Sequence, residues 1–430
     1  MKKHSITAIM CAFAIMLMFA SASQAKVYLD VYGTTFKKIT IGVPFFKGEK
    51  VAGSSADMSE VLNRDLDLSG FFITAPASLI DKELLDEGVE KQDVKFTSWR
   101  SIGIDLVCKG RVQVKDGELS LEAFVYDTLD GSMMLAKRYR AKQSEWRRVT
   151  HRLADDIIFA VTGEKGIMSS RILFTAGRRN LKEVYLSDFD GQNVTRLTNY
   201  RSITLSPTLS PNGKFLAYTS YREGRPNLYV SDFDKKNEIF VDRSDGMKIG
   251  TAWLNNSTLV YSHTSGRTST IYTFDVGSRS KKTILQRDGI LTSPVVAPDG
   301  SRLIFVSDMY GTPQIFSKIL PSGEIKRLTY HGNYNSAPSF SPKGDLVAFV
   351  GKISGGFEVC TMNPDGSNQR VLTNDGTVND SPQFSPCGRY IIYTSLKGGV
   401  NKVNVMLFNG ENKRTLRFTD FAEEQPRFAP

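Results

Sequence analysis

Cysteine and histidine are scarce in this chain, with four of each among 430 residues. Setting aside Cys11, which falls in the leader described below, the thiols are Cys108, Cys360 and Cys387, an odd number spread widely. They form neither a CxxC pair nor a disulfide framework, so isolated thiols are expected. Beyond the leader the histidines are His151, His263 and His331. None has a second ligand at metal-site spacing, and surface or packing roles are expected for all three. Also missing are the GxSxG of a serine hydrolase and the GxxxxGK[ST] of a phosphate-binding loop. These absences point to no catalytic residues, no metal and no cofactor.

Long apolar runs are equally rare. One spans residues 6–20, behind Lys2 and Lys3 and ahead of the small-residue site Ser23-Gln24-Ala25. That order predicts a secretory signal peptide over residues 1–25, too short for a good membrane span. No later segment is apolar enough to cross a bilayer, so direct membrane insertion is not expected. The formal net charge is +10, with 40% hydrophobic and 23% charged residues, a soluble globular balance. The length predicts two or more domains. The basic run Lys137, Arg138, Arg140, Lys142, Arg147, Arg148 and Arg152 could suggest nucleic acid, but export argues against it. A solvated face of a strand and a helix is the expected reading, with no nucleic-acid partner.

What the chain has in quantity is one phrase. SPTLSPNGKFLAYTS at residues 206–220 returns as SPVVAPDGSRLIFVS from Ser293, APSFSPKGDLVAFVG from Ala337 and SPQFSPCGRYIIYTS from Ser381. Aligned on the opening proline, the anchors are Pro207, Thr251, Pro294, Pro338, Pro382 and Pro426, spaced 44, 43, 44, 44 and 44 residues apart. A period of this size predicts propeller blades. Each unit reads as four strands: a short first strand, a turn that is Pro-x-Gly in four of them, an apolar second strand, and two more, the last closing on Leu-Thr at 197–198, 328–329 and 372–373. The aromatic of the second strand occurs six times, as Phe174, Tyr218, Tyr261, Phe305, Phe349 and Tyr393, yet no first strand precedes Phe174. The missing first strand stands at the C-terminus, residues 426–430. A six-bladed ring over 166–430, closed by pairing that strand onto 171–175, accounts for the offset and removes the free sheet edges.

Residues 26–165 lack the repeat and read as an α/β domain. Strands are predicted over 27–32, 39–45, 106–114, 118–126 and 133–139. A helix is predicted over 57–68, a turn or short helix over 99–104, and a second helix capped by Ser144 and running to Val161. Residues 163–166 are the expected join. In the ring, the loops leading into each first strand and those joining second to third strands should gather at one mouth. Arg and Tyr in those loops are residue types that interfaces favour. The Asp-rich turn at 188–191 is read as turn chemistry rather than a Ca²⁺ loop.

A leader, a small α/β domain and six such blades closed by the C-terminal strand resemble the TolB family, periplasmic proteins of the Tol–Pal system of Gram-negative bacteria. The stretches IGVPF (41–45), WRSIGID (99–105) and YLSDFDG (185–191) carry the resemblance alongside the repeats. It implies a non-catalytic scaffold of the periplasm, monomeric when alone. Such a protein would bind the peptidoglycan-associated lipoprotein Pal through the propeller mouth and TolA through the mature N-terminus. It would support outer-membrane integrity and constriction during division. Carried onto this sequence, the Pal-facing positions are Met247, Lys248, Gly250 and Thr292, with Arg222 and Arg225 on the rim. The TolA-facing positions are Lys26, Val27, Tyr28, Leu29, Asp30 and Val31. Two alternatives stay open: a propeller holding a small ligand in its tunnel, and one capping a hydrolase.

Overall fold

The computed structural model describes residues 37–48, 55–321 and 323–430. The predicted leader, the predicted strand at 27–32 and the TolA-facing positions lie outside the described residues.

The N-terminal sheet has the order β3-β1-β4-β5-β6, made of β1 (Ile39–Gly42), β3 (Phe72–Thr74), β4 (Leu106–Lys115), β5 (Glu118–Asp127) and β6 (Met133–Lys142); β2 (Lys47–Gly48) adds to β4. β1 lies parallel to β3 and β4, while β4-β5-β6 form an antiparallel meander. Strand β3 had no sequence signal: three residues are too few for a period to show. Two amphipathic helices, α1 (Ser55–Ser69) and α4 (Trp146–Thr162), pack side by side. Their apolar residues Met58, Leu62, Leu66, Leu153 and Ile157 join a core with Ile41, Leu106 and Leu121 of the sheet. Two short helices, α2 (Lys82–Asp86) and α3 (Phe96–Ser101), contribute Leu84 and Trp99 to a second core with Val107 and Tyr126. Ser144 does not cap α4. It lies in a 3-10 turn, Gln143–Glu145, and the helix starts at Trp146 with no side-chain cap. The helix stops at Gly163, whose φ of 73° is the left-handed C-cap that glycine adopts without strain.

The predicted six blades are present, each a four-stranded antiparallel sheet. Blade 1 has the order β30-β7-β8-β9, with β30 (Ala422–Ala429) from the C-terminus beside β7 (Arg171–Arg178), β8 (Leu181–Asp188) and β9 (Thr195–Arg196). The closing strand begins four residues earlier than the sequence suggested, since Ala422, Glu423 and Glu424 already face Gly177, Ala176 and Thr175.

The Ser-Pro dipeptide is not the start of the first strand but a bulge within it. In all six innermost strands the register shifts at this point. The residue before the anchor is left-handed each time: Ser206, Gly250, Ser293, Ala337, Ser381 and Gln425, with φ between 47° and 65°. Proline fits here because a bulge interrupts the ladder where its missing N–H would otherwise be needed. Thr251, the one non-proline anchor, instead donates its hydroxyl to the Ser206 carbonyl of the neighbouring blade at 2.8 Å.

Candidate functional site: the propeller mouth and the domain interface

The loops gather as the topology predicted. In three blades the backbone at the end of the second strand bonds the loop leading into that blade's innermost strand, as in Tyr221 N to Ile203 O at 2.9 Å in blade 2 and Lys352 N to Tyr334 O at 2.9 Å in blade 5. The bond from Leu396 N to Val378 O, 2.9 Å, repeats the pattern in blade 6. Between blades 3 and 4 the ion pair Arg287–Asp308, 2.8 Å, ties the end of the last strand of blade 3 to the loop after the second strand of blade 4. The result is a stiff rim built from two sets of loops, which suits a surface that must be preorganised for binding.

Exposed apolar side chains are unevenly spread on this rim. Tyr310, Tyr330, Tyr334, Val378, Val400 and Phe421 stand in the loops of blades 4, 5 and 6 and at the closing strand, all exposed. The rim of blades 2 and 3 is more charged, with Arg222 paired to Glu238 and Arg225 paired to Asp245, while Met247 and Ile290 are its exposed apolar groups.

The rim positions singled out from the sequence are not equivalent. Met247 is 43% exposed and Thr292 half-buried, both on innermost strands at the mouth. Arg225 is exposed and paired with Asp245. Arg222 is tied inward: its guanidinium lies 3.9 Å from the Tyr229 ring centroid and 4.4 Å from that of Tyr200, and it pairs with Glu238. Gly250 is the bulge residue of its strand, and a Cβ there would stand 2.8 Å from the backbone nitrogen of Ser293.

Lys248 offers no side chain to a partner. It is wholly buried, and its ammonium donates to the Ser244 carbonyl. The reason lies in the repeat. Lys248 stands three residues before its anchor, where other blades place Thr204, Leu291, Asn335, Asn379 and Glu423, every one of them buried. This row joins adjacent blades. Asn335 donates to Gln314 at 2.8 Å, Asn379 to Glu358 at 3.2 Å, and Lys402 to Glu423 at 3.3 Å. Burial pushes the Lys248 pKa down.

The α/β domain docks at the opposite end, against the turns joining first to second and third to fourth strands. Tyr390 of blade 6 donates its hydroxyl to the Ser69 carbonyl at 2.9 Å and meets Phe71 edge-on. Asn412 donates to the Leu68 carbonyl at 3.2 Å. Among the described residues, the contacts of the α/β domain thus lie away from the mouth.

The same interface holds a cluster that the sequence reading missed. His151 on α4 was expected to be a packing or surface residue and Asp190 a turn residue, yet they face each other with Asp65 of α1. His151 Nδ1 lies 2.6 Å from Asp65 Oδ2, and its Nε2 lies 3.6 Å from Asp190 Oδ2. Arg64 reaches the same Asp190 oxygen at 2.5 Å, and Arg147 also pairs with it. Arg147 thus leaves the solvated face assigned to the basic run, whereas Lys137 and Arg138 stay on it, paired with Asp156 and Glu122. No local spacing could have found this group, whose members come from three separate elements.

Cys108 and Cys360 are buried and Cys387 half-buried, all three free, as the odd count suggested. Burial drives the Cys108 and Cys360 thiols up to about 12, so both stay protonated.

Two protein families match the two halves of this architecture. The TolB amino-terminal domain matches residues 27–134, and the TolB beta propeller domain matches residues 159–430. The chain belongs to the TolB family. A TolB homolog from Chlorobium luteolum is 32% identical over 331 residues, 75% of each chain. The Tol-Pal system protein TolB of Desulfosudis oleivorans is 33% identical over 239 residues, about half of each chain. The crystal structure of TolB from Acinetobacter baumannii superposes with a TM-score of 0.82 over 92% of this chain and 97% of that one, at 24% identity, which shows the shared fold. The TolB family is a non-enzymatic part of the Tol–Pal system. Among the described residues no helix is long and apolar enough to cross a membrane.

Proposed function

We propose that this protein is a periplasmic hub of the Tol–Pal system. It holds a Pal-type peptidoglycan-associated lipoprotein across the propeller mouth and offers residues 26–33 to a TolA-type protein anchored in the inner membrane. Through these contacts it supports outer-membrane integrity and constriction during division. The observation that carries the reading is the mouth: a stiff rim with exposed Tyr, Val and Phe side chains, turned away from the α/β domain. Protein interfaces favour apolar and aromatic anchors of this kind, held so that little ordering entropy is lost on binding. Among the sequence-derived contacts, Met247, Thr292 and Arg225 fit this role best, because their side chains reach the rim. The alternating segment 27–31 suits strand addition to a partner sheet. It works as a switch if one partner's binding changes the segment's affinity for its own chain.

The test is calorimetric titration of the mature protein with the periplasmic domains of a Pal-type and a TolA-type protein. Deleting residues 26–33 is expected to abolish the second association and preserve the first. Replacing Tyr330 and Phe421 with glutamate is expected to weaken the first by about tenfold or more. Loss of both associations in either variant would sink the two-site reading.

A further inference from the structure

Asp65, His151 and Asp190 form a buried charged group at the domain interface, and nothing in the mouth requires it. Each is nearly sealed from solvent at its side chain, with 1%, 3% and 1% exposure respectively. The imidazole lies between two carboxylates, one from each domain: Asp65 of α1 at Nδ1 and Asp190 of the blade 1 turn near Nε2. His151 Nε2 and Asp65 Oδ1 have no hydrogen-bond partner among the described residues. In a neutral imidazole whose Nδ1–H donates to Asp65, the Nε2 lone pair points toward the Asp190 carboxylate, a repulsive contact. In the imidazolium that nitrogen carries a proton and can donate across the domain boundary.

We propose that this triad is a proton-operated latch between the α/β domain and the propeller, closed while His151 is doubly protonated and loosened when it is neutral. The charged groups facing the imidazole are Arg64 and Asp65 from α1, Arg147 and Asp155 from α4, and Asp190 from the propeller. Burial alone disfavours the cation, but the hydrogen bond to Asp65 and the charges of Asp65 and Asp190 outweigh burial and the opposing Arg147, and the His151 pKa is raised. A pKa raised above the unfolded value of about 6.5 fixes the sign. The contact contributes fully below that pH and fades as pH rises through the folded-state value.

A divalent cation is the competing occupant, since ligand atoms of all three residues lie within 4.8 Å of one another. The charges of Arg64, Arg147, Asp65 and Asp190 already sum to zero, so a divalent cation would bury two net positive charges here and a proton only one.

The experiment uses the mature protein. The His151 ring is titrated by NMR, and amide exchange, corrected for intrinsic rates, is compared at pH 6 and pH 8.5 in peptides covering residues 66–72 and 186–192. The expected midpoint lies above about 6.5, and protection in both peptides falls at least about fivefold at the higher pH. His151→Gln should remove that pH dependence. Asp190→Asn, which leaves the Asp65 pair intact, should lower the midpoint even if the glutamine variant folds poorly. A midpoint at or below about 6.5, equal protection at the two pH values, or the same loss in His151→Gln would overturn the latch.

Discussion

At the scale of single residues, the innermost strands show one backbone demand met in different ways. All six need a left-handed residue before the anchor, and five blades supply Ser, Ala or Gln there at some conformational cost. Gly250 meets the same demand and also a closer neighbour, because a Cβ would press on Ser293 N at 2.8 Å and Ser293 Cα at 3.0 Å. Gly250→Ala should therefore destabilise the protein by about 1–3 kcal/mol, read as a lower denaturation midpoint with an unchanged slope. Ser381→Ala, at a left-handed φ of 52° in another blade, should change stability little. A Gly250→Ala protein as stable as the wild type would show that Ser293 can yield. The family resemblance implies a partner contact at Gly250, and the structure adds a packing reason for glycine there.

At the scale of elements, much of the ring was legible because a repeated blade writes the same periods six times. The aromatic of the second strand falls where the spacing puts it in all six blades, whereas the last strands are shorter than the sequence suggests, Thr195–Arg196, Ile325–Arg327 and Arg370–Val371 ending before their Leu-Thr pairs. The rows that hold blades together were not legible, since buried polar positions there vary freely: Gln314 with Asn335, Glu358 with Asn379, and Lys402 with Glu423 solve one packing problem with different charges. Lys248 in that row could not be told from a surface lysine without the fold. The closing strand β30 combines both kinds of information. It pairs with β7, Glu424 binds Lys182 at 2.5 Å, and Gln425 accepts from Ser206 N at 2.7 Å in the next blade. Deleting residues 422–430 should open the ring and lower the melting temperature by about 10 °C or more. Deleting residues 425–430 keeps Ala422, Glu423 and Glu424 available for β7 and should fall between that variant and the full chain. Equal melting temperatures for all three proteins, measured by circular dichroism, would refute closure as a source of stability.

For the whole molecule, the boundary between domains along the sequence is not a boundary of the core. Met58, Leu66, Phe71, Leu153 and Ile157 of the α/β domain share one buried cluster with Ile172, Phe174, Phe189, Tyr390 and Val405 of the propeller. The linker is pinned as well: Asp155 of α4 accepts from Met168 N at 2.7 Å and Ser169 N at 3.0 Å. No periodicity records such a joint, because its residues come from both ends of the chain. A continuous core predicts that both domains unfold together, since neither can leave without exposing apolar surface of the other. Tyr390 is the point to test. Its ring is 1% exposed against Phe71, and its hydroxyl satisfies the Ser69 carbonyl at the end of α1. Tyr390→Ala removes that packing and leaves the carbonyl unpaired, at a cost of about 3–5 kcal/mol. Calorimetry should record one transition for the unaltered protein and two for the variant, the α/β domain melting first because it is the shorter of the two. A single transition in both proteins would mean that the remaining contacts, including the Asp190 cluster, suffice to couple the domains.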